Sequence, residues 1–106
     1  GFDLATHLSH WAGGAEDGRY DDDAFPDPHA FLSAYAAAAA DDELKLKGEP
    51  TVGELLEEVR LCAPLAHCVW GLWAVCSLPA EEATPFSHIE YAERRLAAFE
   101  SLMVDL

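Results

Sequence analysis

Apolar residues recur at intervals of three and four in successive stretches of the chain, separated by runs rich in glycine, proline and acidic residues. That period is the signature of amphipathic helices. In the first stretch Leu4, Leu8 and Trp11 share a face, Asp3 is placed to cap the start, and Gly13-Gly14 closes it. Ala15 to Pro26 reads as a surface loop, its Asp21-Asp22-Asp23 better explained by solvation than by a divalent ion. Asp27-Pro28 supplies an N-cap followed by proline at the first helical position. Phe31, Leu32, Tyr35 and Ala36, with the alanine run to Ala40, make the second helix, and Asp41 to Pro50 is a polar linker. Thr51-Val-Gly-Glu54 is a capping-box pattern opening a third helix, with Val52, Leu55, Leu56, Val59 and Cys62 as its apolar stripe. Ser87-His-Ile-Glu90 repeats the pattern ahead of a last helix, striped by Ile89, Ala92, Leu96, Phe99 and Met103. No alternating run is long enough to make a strand, so the fold class expected of these residues is all-α.

The least polar part, Leu61 to Pro79, breaks this simple scheme. Pro64 removes a backbone bond and predicts a kink or break between Arg60 and Pro64. Beyond it, at 100° per residue, Leu65, Val69, Leu72 and Cys76 fall on one seam, expected to pack, while Trp70, Trp73 and Ser77 fall on another. A helix apolar on more than one side is buried on more than one side or lies in lipid. The stretch has the length of a membrane span, but Pro64, His67, Gly71 and the lack of a second such segment argue against one.

Charge narrows the classes of partner. A formal net charge of −14 opposes binding to nucleic acid or to an anionic membrane surface. It suits a cationic ligand, although a solvated acidic surface is the simpler account of it. Cys62, Cys68 and Cys76 show neither disulfide nor metal spacing and read as reduced thiols of an intracellular protein. With Gly1 first, and no charged-then-apolar leader, the chain is expected to begin inside a longer reading frame or to have been processed. Its 106 residues suit one small unit or one piece of a larger domain.

Candidate chemistry lies in the aromatics. No Ser/His/Asp grouping, phosphate-cradling glycine loop or His-x-Asp kinase loop is present. His7 and His10 have a spacing that a metal can use, but no third ligand lies nearby in sequence. Trp70, Trp73, Phe86 and Tyr91, by contrast, are not explained by any single stripe, whereas Phe99 is. Converging aromatic faces hold a quaternary ammonium group through its attraction to the rings. By composition alone, core packing is the simpler account of the same residues.

Leu65-Ala-His-Cys-Val-Trp-Gly-Leu-Trp-Ala-Val resembles the signature helix of choline and ethanolamine kinases, a Trp-Gly-Leu-Trp core preceded by His. Ser87-His-Ile-Glu-Tyr-Ala-Glu-Arg-Arg-Leu is similar to that family's final helix, where a Tyr-Ala pair precedes a basic residue. Gly1-Phe-Asp-Leu-Ala-Thr-His-Leu resembles the segment soon after the family's magnesium-binding Asp-Phe-Glu motif, and Trp11-Ala-Gly and Phe25-Pro26 continue the match in order. The resemblance spans nearly the whole chain and is weakest from Ala37 to Gly53.

What it implies is a kinase of protein-kinase-like α+β fold, passing the γ-phosphoryl of ATP, with magnesium, to the hydroxyl of choline or ethanolamine for phospholipid head-group synthesis. Residues 1–106 would be a single helical unit, the C-terminal part of the larger lobe. On the same resemblance the catalytic base, magnesium ligands and ATP site lie upstream of Gly1. The chain then holds no catalytic or metal residue, binds neither cofactor alone and is inactive by itself. The ammonium group is expected against Trp70, Trp73 and Tyr91, with Phe86 as a fourth wall, and Asp3 as structural support. Three departures stand out: His10 where many members have an acidic residue at the pocket edge, Thr6 for a usual Asn, and Pro64 with Cys68-Val69 in a helix elsewhere unbroken and more aromatic. The implied partner is a small cation, with no nucleic acid or membrane span, a homodimer left open, and a cytoplasmic location. Two alternatives stand beside it: a free-standing helical interaction module without catalytic activity, and a related kinase for another amino alcohol.

Overall fold

The computed structural model describes residues 1–11, 27–40, 50–80 and 86–106, without the side chains of Ala40 and Ala80. Among these residues the fold is all-α: α1 (Phe2–Trp11), α2 (Pro28–Ala40), α3 (Val52–Ser77) and α4 (His88–Val104), with a short 3₁₀ turn at Leu78–Ala80. The expected Gly13-Gly14 stop, the acidic loop and most of the Asp41 to Pro50 linker lie outside the described residues.

The helix starts follow their local chemistry. Asp27 accepts the His29 backbone N–H at 3.0 Å, and Pro28 takes the first helical position. Both halves of the Thr51/Glu54 box form: the Glu54 N–H donates to Thr51 Oγ1 at 3.2 Å, and the Thr51 N–H to Glu54 Oε2 at 2.7 Å. At α4 the Ser87 half is made, its Oγ accepting from the Glu90 N–H at 3.3 Å. Asp3 is not a cap, because α1 already begins at Phe2. It lies in the first turn, where a carboxylate favours the positive end of the helix dipole.

α3 is the post on which the rest leans, with α1, α2 and α4 all packed against it. Its N-terminal half forms one core with α1 and α2, in which Ala5, Leu8, Leu32, Leu55, Val59 and Ala66 are buried. Its C-terminal half forms a second with α4, around Ala74, Tyr91 and Ala92. The expected stripe of Val52, Leu55, Leu56, Val59 and Cys62 is the face that packs. By length and composition alone, α3 could also cross a membrane; 33% of its most apolar window is buried.

Four expectations fail here. α3 runs unbroken for 26 residues with Pro64 inside it, because Val59, Pro64 and Ala66 are all buried and tertiary packing holds the turns on either side of the lost bond. The seam of Leu65, Val69, Leu72 and Cys76 faces out, Leu65 and Leu72 being 53% and 52% exposed. On α4 the expected stripe packs only in part. Ala92 is buried and Leu96 and Phe99 are half-buried, but Ile89 and Met103 are exposed while Tyr91 and Arg95, off the stripe, are buried, so the helix is turned partly away from it. Trp11 and Tyr35 are exposed as well.

One close approach accounts for the second and third of these. A Cβ built on Gly71 would lie 2.9 Å from both Cγ and Cδ2 of Leu96 and 3.4 Å from Arg95 Cβ. α4 therefore lies against the side of α3 that carries Gly71 and Ala74, both buried, and the bulkier residues turn outward. Gly71→Val should lower stability by about 2–3 kcal/mol through overpacking. Gly53→Ala, where a Cβ would meet only Thr51 Oγ1 at 3.8 Å, should be neutral or slightly stabilising. Urea unfolding of the two variants beside the parent checks both.

Candidate functional site

Gly71 sits between the two tryptophans that matter. With α4 drawn close there, Trp70 and Trp73 meet at 5.7 Å between ring centroids, 67° apart. The segment leading into α4 brings Phe86 to 6.3 Å from Trp73, and the first turns of α4 bring Tyr91 to 6.2 Å from Trp73 and 5.4 Å from Phe86. All four aromatics singled out from the sequence thus converge, mostly edge-to-face, the arrangement that ring quadrupoles favour. They differ in access. Trp73 is 44% exposed, Trp70 and Phe86 are half-buried, and Tyr91 is buried.

Two imidazoles flank the group: His10, which the family resemblance put at the pocket edge, and His88, which sequence reasoning did not single out. His10, from α1, meets Trp70 edge-on at 4.8 Å. His88 lies 5.5 Å from Trp73 and 4.7 Å from Phe86. His7 turns elsewhere, accepting the Trp11 indole N–H at 3.0 Å and stacking on Phe31 at 5.0 Å. No group of three or more His, Cys, Asp or Glu side chains gathers among the described residues as a metal ion requires.

Beneath the rings lies a fully buried arginine. Arg95 Nε donates to the Tyr91 hydroxyl at 3.0 Å, and the guanidinium stands over the Tyr91 ring, 5.1 Å from its centroid. Arg95 Nη1 contacts Nδ1 of buried His67 at 3.2 Å. Arginine only donates, so His67 Nδ1 accepts and its proton sits on Nε2. Burial first, and the Arg95 charge second, push the His67 pKa down to about 4, fixing it neutral at pH 7. His10 is likewise held below the ordinary histidine value, by burial, then Arg95, then His7. The Tyr91/Arg95 spacing of i, i+4 was a visible cue that the two side chains meet. Nothing in it revealed that they would be buried.

A separate apolar cavity of about 540 Å³ lies between the first half of α3 and the end of α4, lined by Leu56, Val59, Ala63, Ala98 and Leu102, with His67 at its wall. His67 therefore touches the cavity on one side and Arg95 on the other.

The family model described as choline/ethanolamine kinase matches residues 1–100. The chain belongs to the choline/ethanolamine kinase family. No curated protein and no solved structure matches it. The match takes in all four converging rings and both flanking imidazoles, and it makes the chain's family one of phosphotransferases.

Two outcomes test the buried triad. Tyr91→Phe removes the acceptor from a buried guanidinium N–H and should cost about 1–3 kcal/mol in thermal or urea unfolding. The second concerns pH. His67 titrates near 4 when folded, against an ordinary 6.5, so the unfolded chain binds more protons between those values. Stability from this group is full above pH 6.5 and drains away as pH falls towards 4, by at most about 3 kcal/mol. Urea midpoints measured across that range should fall in the parent and fall less in His67→Gln, which keeps an acceptor for Arg95 but cannot be protonated.

Proposed function

We propose that this chain forms the substrate-binding part of a kinase that transfers the γ-phosphoryl of ATP to the hydroxyl of choline or ethanolamine. The observation that carries the reading is the convergence of Trp70, Trp73, Phe86 and Tyr91 on one another, within a chain of this family. An alkylammonium group lying on such rings gains on the order of 0.5–2 kcal/mol for each favourable contact. Trp73 and its neighbours Trp70 and Phe86 offer the accessible faces, and Tyr91 backs them from within. Phosphoryl transfer itself depends on positioning and on magnesium. As the family resemblance implies, Mg–ATP and the base that takes the hydroxyl proton are assigned to other parts of the working enzyme. On this reading the chain's own share is to bind and orient the cationic end of the acceptor.

Trp73→Ala, made in the enzyme as it works, should raise the KM for choline about tenfold, a loss of about 1.4 kcal/mol, and leave the KM for ATP within about twofold. Trp73 is 44% exposed, so its truncation spares the core. Equal rises in both constants would assign it to packing.

A second reading, a helical interaction module without catalytic activity, is favoured by the exposed row Leu61, Leu65, Val69 and Leu72 on α3. Calorimetric titration with choline separates the two, since such a module has no reason to bind it.

A further inference from the structure

The ring cluster has a titratable neighbour on its α1 side. His10 is exposed and meets Trp70 at 4.8 Å, and Trp70 meets Trp73 at 5.7 Å. A cation resting on the tryptophans therefore has the His10 imidazole as the next ring along. The charged groups acting on His10 are basic ones: His7 from α1 and Arg95 from α4, while α3 presents the uncharged Trp70.

We propose that His10 makes this site proton-sensitive: as a neutral imidazole it extends the ring wall beside the ammonium group, and as an imidazolium it expels that group. The inference rests on the cation reading above and names a regulation of the same site. Burial, Arg95 and His7 all hold His10 below its ordinary pKa, so the neutral form prevails at neutral pH. A bound ammonium adds one more positive charge and deepens the preference. Read the other way, by linkage, each proton on His10 weakens the ligand. Two unit charges a ring's width apart at a partly exposed site repel enough to weaken binding about tenfold.

The test is titration of choline chloride into the whole chain, followed by tryptophan fluorescence at about pH 7.5 and about pH 5, the lower value lying well below the ordinary histidine transition because His10 is held below it. Dimethylbutanol, the uncharged carbon isostere of choline, is titrated in parallel. The expected result is choline binding about tenfold weaker at the lower pH, dimethylbutanol binding unchanged, and the choline difference markedly reduced in His10→Gln. Equal weakening of both ligands would mean that acid loosens the cluster itself, and would overturn the proposal. So would a choline difference that His10→Gln leaves intact, or no difference at all. Failure of choline to bind even at the higher pH would overturn the cation reading together with it, whereas pH-independent binding would sink the proton-sensitivity alone.

Discussion

The structure depends on where one guanidinium is held. Arg95 is fully buried in a chain whose net charge is −14, and it joins α4 to α3 through His67 while fixing Tyr91 through both hydroxyl and ring. A buried charge is tolerated only with partners that accept its hydrogen bonds. The Tyr91 hydroxyl and a neutral His67 do so, and burial first, with the positive charge second, keeps His67 from protonating. The ring cluster is therefore built on a polar base, and the orientation of Tyr91 is set by Arg95 before any ligand arrives.

That base depends on close approach, and close approach depends on small residues. Gly71 leaves no room for a side chain against Leu96, while Ala66 and Ala74 are fully buried along the same helix. From Leu61 onward α3 thus inverts the usual arrangement, putting small residues inside and Leu61, Leu65, Val69 and Leu72 outside. A helix apolar on all sides contains no rule saying which side is covered first.

This inversion marks the limit of what could be read from residues alone. The capping at Thr51 and Ser87, the start at Pro28 and the stripe from Val52 to Cys62 were all legible, because each is encoded within a turn or two of sequence. The four aromatics were legible too, as large residues that no single stripe explained, and they do meet. The rotation of α4 was not. An apolar pattern of Ile89, Ala92, Leu96, Phe99 and Met103 outweighs Tyr91 and Arg95 in any count of hydrophobicity, yet the tyrosine–arginine pair takes the inside. Two long-range contacts go with it, the close approach of Leu96 to Gly71 and the pairing of Arg95 with His67 across 28 positions of sequence. Pro64 failed for a related reason: the local penalty was read correctly, but packing on both sides of it exceeds that penalty.

The same geometry limits how the cluster can take a ligand. Tyr91 presents one face to Arg95 and is buried, so a second cation cannot replace the guanidinium there without stranding it. On the proposed reading an ammonium ligand would thereby be confined to the outer side, against Trp73 and its half-buried neighbours Trp70 and Phe86, between His10 at one end and His88 at the other. Attraction at that position comes from ring faces and repulsion from the basic groups beneath and beside them. On the proposed cation reading, the balance between those terms, rather than the number of aromatics, sets how firmly a cation is held, and His10 is the member of that balance that a fall in pH would charge.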